Sequence, residues 1–437
     1  MAPERVAALS ISNQRETFVP LAAGGAAVRP AIVWLDQRCR GEVRWLSRRV
    51  GARRIHEISG KPPDMAPVAY RLAWMLRHET EQYRRTAMFA DVHAYLAHGL
   101  TGEFRTSWAS ADPTGLFDLR ERRWSPEILR ALDVNVEQLP MVSPPGSVIG
   151  EVTAEAARAT ALRAGTPVVA GGGDGQAAGL GVGALSRGRA YLNLGTAVVA
   201  GLHSPEYRTG RPWRTMMSCS GSGYVLETSL RSGTFLLDWF VEHFGGGARE
   251  ALQTAAAEIP LGSGGVLALP YWGAVMTPYW DPNARGCLIG LTATHGPADV
   301  YRALLEGIAL EQAMVTGMIG EATGWPVEEF VAIGGGASSD LWRQILADVC
   351  GTPVRCSRTV EASSLGAAMC AAAGAGWFTS VAEAARAMCG EIGRVNEPDA
   401  GRQARYAELR EIYAGIYPRL RATFAKLAKF SEGDTSL

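Results

Sequence analysis

Residues 166–185 read TPVVAGGGDGQAAGLGVGAL, and the class of fold turns on how this stretch is read. Its first five residues form a short apolar run with β-branched side chains, as in a buried strand. Gly171, Gly172 and Gly173 end that run, Asp174 follows, and the next residues are small, as in a closely packed helix. Glycines at a strand's C-terminal end let a ligand approach the backbone, and a helix N-terminus attracts anions. In open α/β sheets this edge is where ligands bind. Taken by itself, Asp174 has two readings. It points into the crevice as a general base, or it caps the helix beside it.

The same pattern recurs outward from this segment. RVAALSIS (5–12), RAYLNLGTAVVAGL (189–202), GGVLALP (264–270) and EEFVAIGGG (328–336) read as buried strands, most of them bounded by glycine. Residues 297–324 carry Val300, Leu304 and Ile308 at helical spacing, and residues 338–351 form a second helix with a serine cap and a glycine stop. Strands alternating with helices predict an α/β protein whose sheets are covered on both faces. A boundary near residue 187, at LSRGR, separates two units, 1–187 and 188–437. Residues 402–430 are charged and helical and predict a surface helix on the second unit. Gly195–Thr196, in the turn of a hairpin, and Gly334–Ala337, after a strand, offer backbone to a phosphate or a nucleotide. Thr196 also reads as an ordinary strand-edge residue.

Composition narrows the function. The 437 residues are 47% hydrophobic and 20% charged, an ordinary globular balance. Lysine plus arginine and aspartate plus glutamate each number 43, so nothing overall calls for nucleic acid. The seven cysteines (39, 219, 287, 350, 356, 370 and 389) contain no CxxC pair, which predicts reduced thiols and a cytoplasmic setting. No apolar run reaches membrane-spanning length and no signal peptide is legible, so no membrane partner is expected. His93 and His98 have the wrong spacing for two ligands on one helical face, and no metal ligand set is predicted. Neither GxxxxGK[ST] nor GxGxxG occurs in the glycine clusters, which excludes a P-loop NTPase and weakens a dinucleotide reading.

Taken in order, ISNQRET (11–17), AIVWLDQR (31–38), YLAHGLTG (95–102), GGGDGQAAGLGVGAL, LNLGTAVV, PYWDPNARGCLIGLT (278–292), GGGASSDLWRQILADVCGTPV and SSLGAAMCAAAGAG (363–376) resemble the FGGY family of carbohydrate kinases. The resemblance implies a two-domain actin-like ATPase (ribonuclease H-like) fold with an interdomain cleft. It also implies transfer of the γ-phosphoryl group of Mg²⁺-bound ATP to a sugar or polyol hydroxyl, with no nucleic-acid partner. Residues 1–187 would then be the sugar-binding domain and residues 188–437 the nucleotide-binding domain. Asp174 matches the family's catalytic aspartate, which tips the balance from cap to base. Gly195 and Thr196 match a phosphate-contacting turn, and Gly335, Gly336 and Ala337 match the adenosine-side loop. Trp280, Asp281 and Arg285 read as scaffold, with a buried Asp–Arg pair. A homodimer is a further expectation.

For the substrate, Arg15 and Glu16 of ISNQRET resemble residues of glycerol kinase members that hold hydroxyls. Trp34 and Asp36 of WLDQR resemble the pentulose kinase form, with Trp34 as a flat wall or else plain core packing. Gln176 is assigned to the substrate as well. Asp64, Met65 and Ala66 stand where glycerol kinases carry an aromatic wall, and Arg231 replaces a second aromatic. A ketopentose such as xylulose is therefore expected, with glycerol or another polyol as the alternative. The family's D-x-G-T-[ST] opening, whose aspartate helps hold Mg²⁺, is not found. That predicts a first domain incomplete at its N-terminus, an exposed apolar edge at residues 5–12, and little turnover without an upstream segment. The alternative is a sugar-binding relative without kinase activity.

Overall fold

The computed structural model describes residues 2–390 and 392–433. Two sheets organise the chain. The first holds β1 (Leu9–Asn13), β2 (Val148–Glu151) and β3 (Pro167–Gly173) in the order β1-β3-β2. β1 runs parallel to β3, with Leu9 opposite Val168 and Asn13 opposite Gly173. β2 pairs antiparallel on the other side. β3 is buried from Val168 to Gly173, as its unbroken apolar run requires. β1, which the sequence placed at residues 5–12, is an outer strand of this sheet.

The second sheet has seven strands. They are β4 (Arg189–Leu194), β5 (Val198–Ser204), β6 (Arg214–Met217), β7 (Tyr224–Leu230), β8 (Glu329–Ile333), β9 (Val354–Ser357) and β10 (Ile392–Asn396). Their order is β6-β7-β5-β4-β8-β9-β10. Residues 189–202 fold as a hairpin, Leu194 opposite Val198, and β4 lies parallel to β8, Asn193 opposite Ile333. That register puts the turn after β4 and the glycine loop after β8 at the same edge of the sheet.

Between the sheets lie two helices made almost wholly of small residues, α1 (Asp174–Gly181) and α4 (Ala362–Gly374). A Cβ on Gly366 would sit 1.9 Å from the Ala177 carbonyl oxygen, and one on Gly181 would sit 2.1 Å from that of Ala362. The two backbones therefore touch, which explains the low side-chain volume of both stretches. α4 also packs on β1 and β3. Met369, Cys370, Val381 and Ala384 complete a core otherwise built mainly from residues 18–139.

On the far side of the second sheet, α2 (Pro297–Thr323) and α3 (Asp340–Cys350) form where the periodicity placed them. Ser339 caps α3 through the Trp342 N–H, and Gly351 ends it at φ +66°. The expected single C-terminal helix is two, α5 (Ala400–Ala414) and α6 (Ile416–Gly433), broken at Gly415. These helices are tied inward. Tyr406, Tyr413 and Tyr417 donate to Glu306 at 2.7 Å, Glu311 at 2.6 Å and Asp281 at 2.6 Å. Asp281 is thus buried against Tyr417 and not against Arg285, which is exposed and bonds the Pro282, Asn283 and Ala284 carbonyls. The expected Asp–Arg pair fails because the folded C-terminal helix reaches Asp281 first. Among the described residues, no helix is long and apolar enough to cross a membrane.

Candidate active site

β3 delivers Asp174 to the first turn of α1, and the residue at the capping position is Gly173. The Asp174 side chain is 57% exposed. Its Oδ1 accepts from the Gly175 N–H at 2.8 Å and lies 3.3 Å from Arg15 Nε. A carboxylate that is open to solvent and steadied on one oxygen keeps its other oxygen free for a proton.

Arg15 lies flat beneath this turn. A Cβ on Gly173 would meet the Arg15 side chain at 2.5 Å, so the last glycine of the GGG run makes room for a guanidinium. Arg15 Nη1 donates to Glu227 Oε2 at 2.8 Å and stands 3.5 Å from Gln176 Oε1. Glu227 also accepts from Arg214 Nε at 2.6 Å and from the Tyr191 hydroxyl at 2.8 Å. Arg214 in turn reaches Glu16 at 2.7 Å. The result is a line of alternating charge, open at Asp174 and buried through Arg15, Glu227, Arg214 and Glu16, that joins the loop after β1 to β6 and β7 of the second sheet. Burial pushes the Glu227 carboxyl up, but Arg15, Arg214 and Tyr191 outweigh it and hold it at about 2. Burial likewise works against the Arg15 charge, and Glu227, Glu16 and Asp174 raise its pKa regardless.

A second buried pair underlies the first. Lys61 Nζ donates to Asp112 Oδ1 at 2.9 Å and to the Thr215 carbonyl at 3.0 Å. Gln176 is 2% exposed and gives its amide to the Ala109 carbonyl at 2.9 Å and to Asp112 Oδ2 at 3.0 Å. It joins the two charge systems beneath Asp174. Trp34 is 46% exposed, so its ring is not core packing. Asp36 is occupied by Arg38, whose Nε lies 2.8 Å from both carboxylate oxygens.

Sequence reasoning missed Glu227, Arg214, Tyr191, Lys61, Asp112 and Arg71. For Glu227, a charge inside the otherwise apolar strand YVLETSL is the signal available. His93 is fully buried and accepts the Gly171 N–H at 3.1 Å, while His98 stacks on Phe104 with centroids 3.9 Å apart.

At the edge of the second sheet, Thr196 is exposed, and the Gly195 and Thr196 carbonyls accept from the Thr234 and Gly233 N–H groups at 2.8 and 2.9 Å. Beside them run Gly335, Gly336 and Ala337. A Cβ on Gly335 would meet nothing within 4 Å, so this loop presents bare backbone outward. Gly336 is small for another reason, because a Cβ there would strike Trp342 at 2.4 Å and the Leu194 carbonyl at 2.8 Å. Ala337 is buried and its carbonyl accepts from Arg343. Such an exposed backbone cradle fits a nucleotide. Among the described residues, no group of three or more His, Cys, Asp or Glu is placed to hold a metal ion.

Comparison with known proteins gives the family. Residues 1–181 match the N-terminal domain of the FGGY family of carbohydrate kinases, and residues 190–375 match its C-terminal domain. The chain belongs to this family and is a carbohydrate kinase, a phosphotransferase with ATP as donor. It is 33% identical to a xylulose kinase of Escherichia coli over 419 residues, 95% of this chain and 85% of that protein. It is also 33% identical to a glycerol kinase of Aromatoleum aromaticum over 398 residues, 88% of this chain and 79% of that one. The ligand-bound xylulose kinase of Lactobacillus acidophilus superposes with a TM-score of 0.91 at 25% identity, covering 96% of this chain and 86% of that one.

Proposed function

We propose that the protein phosphorylates a ketopentose, xylulose or a close relative, with Asp174 as general base. Residues 1–187 bind the sugar and residues 188–437 the nucleotide. The observation that carries this reading is the open Asp174 carboxylate standing on the buried Arg15–Glu227–Arg214–Glu16 line. Bound ATP, accompanied by Mg²⁺ on its phosphates, supplies the phosphoryl group, and the chain supplies position and proton transfer. Arg15 and Glu16 hold sugar hydroxyls, Trp34 forms a flat wall, and Asp174 takes the proton from the attacking hydroxyl. Gln176, assigned to the substrate by the resemblance, is 2% exposed with its amide on Ala109 and Asp112, so it keeps the floor of the site in register. Asp36 is likewise held by Arg38 in place of sugar. The Gly195–Thr196 turn faces the phosphates, and the loop of Gly335, Gly336 and Ala337 faces the adenosine.

Arg231 and Asp64 support the ketopentose over glycerol. Arg231 stands where the resemblance places an aromatic and meets Asp64 at 3.4 Å, while Met65 and Ala66 after Asp64 leave out the tyrosine wall, which makes a wider pocket. The partners are the sugar and ATP, and a homodimer and a cytoplasmic setting belong to the same reading.

The test is a screen of sugars by thermal shift and ADP release. Stabilisation and ADP release with xylulose or ribulose, exceeding those with glycerol, support it. Preference for glycerol overturns the substrate assignment. Stabilisation by a ketopentose but none by MgATP favours the sugar-binding reading instead, whereas absent ADP release alone fits equally the little turnover expected without an upstream segment.

A further inference from the structure

Arg71, on the helix Val68–His78, is a fully buried cation beside this site, with 0% of its surface exposed. Its Nη1 donates to the carbonyls of Val33 at 3.3 Å, Trp34 at 3.2 Å and Asp36 at 3.4 Å. Its Nη2 donates to those of Glu16 and Ala66, each at 2.5 Å. None of these five acceptors is a carboxylate. Three separate segments are thereby fastened to one planar group. The first is the Arg15–Glu16 turn, the second is the loop carrying Trp34 and Asp36, and the third is the turn before the helix, where Asp64 meets Arg231.

We propose that Arg71 is the positioning residue of the sugar subsite, acting through backbone carbonyls and not by touching substrate. The inference rests on the sugar-site reading of Arg15, Glu16 and Trp34. Glu16 explains why such a group is needed. Its φ is +55°, a left-handed backbone that a residue with a Cβ adopts only where its surroundings hold it. The Arg71 bond to the Glu16 carbonyl holds it there, and that backbone aims the Glu16 carboxylate at Arg214. The same guanidinium sets the Trp34 backbone, and with it the exposed ring. Two nitrogens spread over five carbonyls need a planar fork; a lysine ammonium at one point cannot span them.

The test uses Arg71→Lys and Arg71→Gln in the full chain. The probe is whichever sugar of the xylulose, ribulose and glycerol panel wild type binds most tightly by calorimetry, and MgATP affinity is measured in parallel. Arg71→Gln should weaken sugar binding by about 10- to 100-fold while MgATP affinity stays within about twofold. Arg71→Lys should recover part of the loss. Unchanged sugar affinity in a folded variant overturns the proposal, as does an equal loss of sugar and nucleotide affinity. If Arg71→Gln fails to fold, Arg71→Lys alone decides by the same criterion. Wild type preferring glycerol sinks the ketopentose assignment but leaves the Arg71 comparison intact with glycerol as probe.

Discussion

Arg15 and Glu227 lie 212 residues apart in sequence and meet at 2.8 Å, Nη1 to Oε2, where the loop after the first strand touches the second sheet. Their bond is one link in a buried line that ends at Asp174 on one side and Glu16 on the other. Glu227→Gln removes the charge between two arginines. The loss of a buried partner should cost about 3–5 kcal/mol, read as a fall in denaturation midpoint. The wild-type carboxyl sits near 2, below its ordinary 4.5, so its stabilisation is present above about 4.5 and lost as pH falls toward 2. The variant should lose that part of the acid limb. An unchanged acid profile would contradict the assignment.

Asp174 is proposed as the base and is the one open carboxylate of that line. Asp174→Asn keeps the shape and the Gly175 contact but accepts no proton. Turnover should fall by about 10²–10⁴-fold. Sugar affinity, measured by calorimetry, should change little, because Arg15 and Glu16 remain. A variant with near-normal turnover would remove Asp174 from the mechanism.

The contact between α1 and α4 makes a separate prediction. Gly366→Ala places a methyl group against the Ala177 carbonyl and must push the helices apart. Overpacking of this kind costs about 1–3 kcal/mol. Because α1 begins at Asp174, the same substitution should lower turnover in the folded protein. A midpoint and a rate both equal to wild type would show that the helices yield without consequence.

Glu311 on α2, where the C-terminal helices dock, carries a pH dependence of the opposite sign. Burial pushes Glu311 up to about 7, against hydrogen bonds from Tyr413 and Tyr271. Its folded pKa exceeds the ordinary 4.5, so its contribution is full below about 4.5 and is lost as pH rises through about 7. The loss is on the order of 3 kcal/mol at about 1.4 kcal/mol per unit. Glu311→Gln stays neutral at every pH and should flatten stability between pH 5 and 8. A slope equal to wild type would rule out Glu311 as its source.

Much of the proposed site is legible in local pattern. Asp174 follows a strand and three glycines, a grammar that depends only on neighbours in the chain, and the glycine loops after β4 and β8 share it. The partners of that chemistry were not legible. Glu227 and Arg214 drew no reading from the sequence, because their worth depends on what folds against them. The sequence motif suggests a buried Asp281–Arg285 pair, yet Tyr417, 136 residues from Asp281, takes that place.

By itself, then, the sequence determined the alternation of strand and helix, the glycine-bounded edges, the membership of a kinase family and the aspartate on which the chemistry is proposed to turn. The first two follow from spacing and side-chain type over a few residues; the last two come from the resemblance of whole motifs taken in order. Only the tertiary structure decided that two small-residue helices touch backbone to backbone, that Arg15 is held by Glu227, and that Arg71 gathers five carbonyls. The reason is physical: the worth of a buried charge or a missing side chain is set by the atoms packed against it, and those come from distant parts of the chain.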